Sequence, residues 1–170
     1  LIGWSLTNRC NLRCRYCNAW NLKSKELTTK QIFLILDELA RFGCARIAFT
    51  GGEALLRNDI GDIVSYSKNK GIYTGINSNG ILITKKIEQI KNIDLLMLSL
   101  DGPQEIHDFL RGVDSYKNTI QAMEIAANYS IKTAITIVLT KHNLNCIDFI
   151  LEKAKRFNSH AYFQPVTNLP

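Results

Sequence analysis

Leu95-Leu96-Met97-Leu98-Ser99-Leu100-Asp101-Gly102-Pro103 is a short, almost unbroken apolar run closed by turn-forming Asp-Gly-Pro. Such a run reads as a β-strand buried on both faces, because a strand with one wet face alternates apolar and polar residues. Five more stretches share this character: Trp4 to Asn8, Arg46 to Thr50, Tyr73 to Asn77, Lys132 to Leu139 and Ala161 to Gln164. Between them lie segments with helical spacing, namely Thr28 to Phe42, Asp59 to Asn69, Thr84 to Lys91, Tyr116 to Tyr129 and Leu144 to Phe157. Thr28 followed by Gln31 is a capping-box start, Gly43 and Gly71 stand where helices stop, and Ile32, Ile35, Leu36 and Leu39 form a core stripe. Strand and helix in strict alternation give a parallel sheet covered by helices, either an open doubly wound sheet or a (β/α) barrel. Both architectures gather chemistry at the carboxyl ends of the strands. A closed eight-stranded barrel takes about 250 residues, so six strands in 170 residues fit a partial (β/α)6 TIM-like barrel of parallel strands, truncated after strand six.

Composition sets the outer bounds. With 46% hydrophobic and 21% charged residues the chain is an ordinary core-former, which excludes disordered, collagen-like and coiled-coil classes. The net charge of +6 is spread over helical stretches such as Lys68 and Lys70, Lys85 and Lys86, and Lys153, Lys155 and Arg156. These read as solvated faces rather than a nucleic-acid patch. No apolar run approaches the roughly 20 residues of a membrane span, so no membrane partner is expected. The chain opens on Leu1 without a signal-peptide pattern and stops soon after the sixth strand, where a further helix is due. The expectation is one domain over residues 1–170 that is a piece of a longer, cytoplasmic protein lacking its C-terminal extension.

Three of the five cysteines crowd into Cys10-Asn11-Leu12-Arg13-Cys14-Arg15-Tyr16-Cys17. That crowding suits a reducing compartment and a metal better than a disulfide framework. Thiolates are ligands of zinc and of iron–sulfur clusters, and no fourth ligand lies near in sequence. Two readings stay open: a cluster with one iron left open for a substrate, and a zinc site completed by a remote histidine. Cys44 and Cys146 read as packing residues. After the second strand comes Gly51-Gly52-Glu53. Paired glycines allow close backbone approach, and Glu53 repels a phosphate, so the loop suits an ammonium or another donor.

Together, a cysteine loop at spacings of three and two with an aromatic residue before its last thiol, and Gly-Gly-Glu after strand two, resemble the radical S-adenosylmethionine (radical SAM) superfamily over essentially the whole chain. That resemblance implies an enzyme in which Cys10, Cys14 and Cys17 hold a [4Fe–4S] cluster. Gly51, Gly52 and Glu53 then receive the methionine amino group of S-adenosylmethionine, and Tyr16 lies against the adenine. Ser78 and Ser99, at the ends of strands three and four, are candidates for the cofactor's ribose or carboxylate. Arg111 pairs with that carboxylate or forms a helix-end salt bridge with Asp108 or Asp114. Asn79, Asp101 and Gly102 read equally well as turn chemistry, His107 as local hydrogen bonding, and His142 as a surface residue.

The implied reaction is reductive cleavage of S-adenosylmethionine to a 5′-deoxyadenosyl radical that abstracts a substrate hydrogen, with an electron donor such as flavodoxin or ferredoxin. Ser99-Leu100-Asp101-Gly102-Pro103 with His107-Asp108 and Arg111-Gly112 is nearest a subgroup of peptide and cofactor maturases that often carry a C-terminal SPASM-type domain, so the substrate is a peptide or small molecule. The alternatives are an iron–sulfur or zinc electron-transfer module without this cofactor chemistry, and an RNA-modifying protein.

Overall fold

The apolar stretches form six strands in a computed structural model that describes residues 1–166. They are β1 (Ile2–Ser5), β2 (Arg46–Thr50), β3 (Tyr73–Ser78), β4 (Leu95–Ser99), β5 (Thr133–Leu139) and β6 (His160–Pro165). All pair in parallel, in the order β1-β2-β3-β4-β5-β6. In a sequential order every crossover steps the same way, whereas a doubly wound sheet reverses direction once. Helices therefore gather on one side and the sheet curls about the other, which selects the barrel alternative: a curled α/β half-barrel.

The register separates two faces, because side chains alternate along a strand and paired positions point the same way. Ile47, Phe49, Ile76, Leu96, Leu98, Ile135 and Ile137 share the helix-facing parity and are buried. Burying each contributes about 1.5–3 kcal/mol. The other parity carries Ala48, Gly75, Leu95, Met97, Ser99, Thr136 and Val138 along the concave face. Leu95, Met97 and Ser99 are only half-buried there. This corrects the expectation of strands sealed on both faces, since among the described residues no further element covers the inner side of the half-barrel.

The helices are α1 (Thr29–Arg41), α2 (Ile60–Asn69), α3 (Ile83–Ile90), α4 (Gln104–Arg111), α5 (Ser115–Asn128) and α6 (Ile147–Arg156). The capping box at the start of α1 is complete: Thr28 Oγ1 accepts from Gln31 N, and Gln31 Oε1 accepts from Thr28 N. Gly43 and Gly71 follow their helices at φ +77° and +75°, the left-handed region that ends helices without a Cβ clash. Ile35 is exposed rather than in the α1 stripe; Phe33 packs inward instead, stacked on Tyr66 at 4.0 Å. Helix α4 was not expected, because its inward face carries His107 and Arg111 beside Leu110 and so lacks an apolar stripe. Cys146 is buried and Cys44 packs on the core, as expected.

Candidate active site

The cysteine loop leaves β1 and is tied at both ends. β1 stops at Ser5 rather than running to Asn8, because the chain beyond it turns its carbonyls to the neighbouring loop: Thr7 O accepts from Gly52 N at 2.7 Å and Arg9 O from Glu53 N at 2.8 Å. At the front of the loop Asn11 Oδ1 accepts from Asn79 Nδ2 at 2.7 Å. At its back Tyr16 Oη donates to Asp101 Oδ2 at 2.6 Å, and Arg15 is held to α4 through Leu110 O (2.8 Å from its N) and Phe109 O (2.7 Å from its Nε). Burial pushes the Cys14 thiol up to about 11 and raises that of Cys10 too.

The two glycines serve packing more directly than ligand exposure. A Cβ on Gly51 would stand 2.2 Å from Thr7 O, and one on Gly52 would stand 2.3 Å from Arg9 O. Only glycine lets the two loops touch. Glu53 is 1% exposed; its Oε2 accepts from Asn79 N at 2.8 Å and its Oε1 from Leu55 N at 3.2 Å. Burial outweighs these bonds and lifts its carboxyl to about 7. A desolvated carboxylate short of positive charge is a strong acceptor for an arriving ammonium. Ser78 Oγ already accepts from Gly80 N at 3.1 Å, so part of its capacity serves the turn after β3.

Arg111 pairs with neither Asp108 nor Asp114. Its Nε and Nη2 reach Asp101 Oδ2 and Oδ1 at 2.6 and 3.2 Å, while Asp108 caps the start of α5 through Ser115 Oγ and Tyr116 N. Burial opposes the Arg111 charge, but Asp101 outweighs it and holds the guanidinium cationic. Burial likewise opposes ionisation of Asp101, and Arg111 outweighs that, holding the carboxyl below its ordinary value. His107 Nδ1 accepts from Asp101 N at 3.0 Å, and burial lowers the imidazole to about 4, so it stays neutral. His142 stands exposed against Phe109.

Cys10, Cys14, Tyr16, Cys17, Gly51, Gly52, Glu53, Ser78, Ser99 and Arg111 all line one cavity of about 280 Å³ at the carboxyl ends of the strands. Thr50, Asn77, Thr136, Val138 and Gln164 complete the concave wall. Sequence reasoning missed three contributors: Asn77, Asn79 in its bond to Glu53, and Asp101. The signal for Asp101 was an acid closing a buried strand ten residues before an arginine. Among the described residues no three His, Cys, Asp or Glu side chains are drawn in to the spacing of a metal shell, and no histidine lines the cavity. The donor set still fits an iron–sulfur group beside an aminated ligand. It offers three soft thiols, a buried carboxylate of raised proton affinity, and a buried Asn77 Oδ1 without a partner on the same wall.

Residues 4–154 match the model of the radical SAM superfamily. The chain belongs to the radical SAM superfamily. Members of this family are enzymes that use a [4Fe–4S] cluster and S-adenosylmethionine. Among curated relatives, the radical SAM chain is 30% identical to the Fe-coproporphyrin III synthase of Methanosarcina barkeri, over 89% of this chain and 40% of that protein. It is 32% identical to the AdoMet-dependent heme synthase of the same organism, over 95% and 49%. It is 31% identical to the mycofactocin maturase MftC of Mycolicibacterium smegmatis, over 93% and 42%. The chain thus spans about half or less of these relatives. In fold it resembles Streptococcus suis SuiB bound to S-adenosylmethionine, with a TM-score of 0.85 at 20% identity over 99% of this chain and 39% of that one. It also resembles anSMEcpe with bound AdoMet and Kp18Cys peptide, with a TM-score of 0.81 at 22% identity over 98% and 51%.

Proposed function

We propose that this chain is the catalytic core of a radical SAM enzyme that matures a peptide or a small-molecule cofactor. One observation carries the reading: three thiols and the buried carboxylate of Glu53 face a single cavity at the strand ends, with Gly51 and Gly52 between them. In this reading Cys10, Cys14 and Cys17 hold the cluster. Glu53 and the Gly51-Gly52 turn take the methionine ammonium, Ser78, Ser99 and Arg111 take its ribose and carboxylate, and Tyr16 borders the adenine. When bound, the two groups supply one-electron cleavage of a sulfonium C–S bond and hydrogen abstraction.

The chain's own residues supply position and charge. Asn79 N and Leu55 N hold the two Glu53 oxygens in place, and an ammonium arriving there restores the ionised carboxylate that burial disfavours. Arg111 spends Nε and Nη2 on Asp101 and keeps Nη1 for a ligand carboxylate. Asn77, Thr136, Val138 and Gln164 line the concave wall beside the thiols and Glu53, where a substrate would meet the bound cofactor.

The names of the relatives support the substrate class, since they include tetrapyrrole synthases and a maturase. An acidic one-electron donor of the flavodoxin or ferredoxin type and a reducing, cytoplasmic setting complete the reading, in keeping with five free cysteines. Anaerobic reconstitution of the whole protein tests it. The parent is expected to take up about four irons and four sulfides, and Cys14→Ala to lose them. Calorimetry should show S-adenosylmethionine binding at least tenfold weaker in Glu53→Gln, with the cluster retained. One bound zinc and no iron uptake would refute the reading.

A further inference from the structure

We infer that Asp101 is a positioning residue for the cysteine loop: its carboxylate fixes Tyr16 and cancels the charge of Arg111 beside the thiols. The inference rests on the proposal that the loop holds an iron–sulfur cluster, and it gives Asp101 a role beyond the turn chemistry of Asp-Gly-Pro.

The carboxylate of Asp101 is fully buried, and its two oxygens accept from three different elements. Tyr16 of the cysteine loop donates at 2.6 Å, Arg111 of α4 at 2.6 and 3.2 Å, and the backbone of Val138 on β5 at 3.0 Å. The Asp101 backbone is fixed as well. Its N–H donates to His107 Nδ1 and its carbonyl accepts from Asn143 Nδ2, both at 3.0 Å, and both partners are fully buried. A turn-forming aspartate can hydrogen-bond its carboxylate to the backbone two residues on, but all four bonds here go to Tyr16, Arg111 and Val138, so the carboxylate has another purpose.

Stability is a poor explanation for it. Replacing a buried ion pair by neutral groups of like size is often neutral or stabilising, because desolvation offsets the attraction. Position is the better one. Tyr16 sits between Cys14 and Cys17 in sequence, and fixing its hydroxyl fixes the backbone that aims both thiols. Arg111 lies 5.5 Å from the Tyr16 ring, and its charge is cancelled within the same cluster of side chains. The reduction potential of an iron–sulfur cluster follows nearby net charge and hydrogen bonding. A lone Arg111 cation on the cavity wall would therefore make the cluster easier to reduce, and a lone Asp101 anion harder.

The test is a reduction-potential titration, followed by electron paramagnetic resonance, of the whole protein carrying its reconstituted cluster. Asp101→Asn is expected to move the potential to more positive values and Arg111→Gln to more negative values. The double variant should return close to the parent, because the net charge is restored. Tyr16→Phe, which changes no charge, should leave the potential in place but release iron to a chelator severalfold faster than the parent. Equal potentials in parent and single variants, or a double variant displaced as far as its singles, would overturn the inference. Should a single variant fail to fold, the neutral double variant and Tyr16→Phe still decide: a parental potential with faster iron release supports it, and a displaced potential or parental release overturns it. A parent that takes up no iron refutes the cluster reading itself, whereas a bound cluster with unresponsive potentials refutes only this assignment.

Discussion

Glu53 and His107 are buried groups whose protons pull stability in opposite directions. Folded Glu53 keeps its proton up to about pH 7, while an unfolded glutamate releases it near 4.5. Its contribution is thus present below 4.5 and lost as pH rises towards 7. Folded His107 takes no proton until about pH 4, while an unfolded histidine takes one near 6.5. Its contribution is present above 6.5 and lost as pH falls towards 4. At about 1.4 kcal/mol per pH unit each shift is worth roughly 3 kcal/mol, so the two nearly cancel between pH 4.5 and 6.5 in the cofactor-free protein. Urea midpoints should therefore be flat across that window. Glu53→Gln should expose a loss of stability on acidification, and His107→Gln a loss on going from pH 4.5 to 7. Parallel pH profiles in the two variants would contradict this assignment. The place of Glu53 in the cavity wall beside Gly51 and Gly52 agrees with the sequence, where a carboxylate beside paired glycines repels anions whatever the fold, and the role proposed for it follows from that charge. His107 was legible as a local hydrogen-bonding residue, and its Nδ1 does accept from Asp101 N six residues away. The bonds of Asp101 were not legible, since they reach Arg111 across an unrecognised helix and Tyr16, Val138 and Asn143 on distant segments.

The two loops after β1 and β2 work as one element. Gly52 has backbone atoms of Arg9 and Asn8 at 2.3 and 2.6 Å from where a Cβ would sit, and backbone cannot swing aside. Gly52→Ala is expected to cost on the order of 2–4 kcal/mol, roughly a 5–10 °C fall in Tm by calorimetry, and to reduce iron uptake. Gly3→Ala, with nothing within 4 Å, should do neither. At the start of α1, Thr28→Ala removes the capping box and should lower stability by about 1 kcal/mol in urea unfolding. Capping box, helix stops and strands are local chemistry and were readable from residues such as Thr28, Gln31, Gly43 and Gly71. Helix α4 hid because a buried polar face of His107 and Arg111 does not announce itself by apolar spacing. Sequence assigned the glycine pair to ligand approach; the structure gives it first to the contact with the β1 loop, a partner more than forty residues away.

At the scale of the molecule, one sequential parallel sheet brings the loops after β1 and β2 and the ends of β3 to β6 to one cavity. Alternation alone left two architectures open, and strand order, which periodicity cannot report, separated them. No helix among the described residues is long and apolar enough to cross a membrane. Among the described residues the half-barrel leaves its concave face open past Val138 and Gln164, and the chain spans about half or less of the curated relatives named above. The most direct measurement is 5′-deoxyadenosine released per chain when the anaerobically reconstituted protein receives dithionite and S-adenosylmethionine. Release by the parent, absent in Cys10→Ala, Cys14→Ala and Cys17→Ala and sharply reduced in Glu53→Gln, is the expected result. A parent that binds its full complement of iron and sulfide yet releases no 5′-deoxyadenosine would contradict the account.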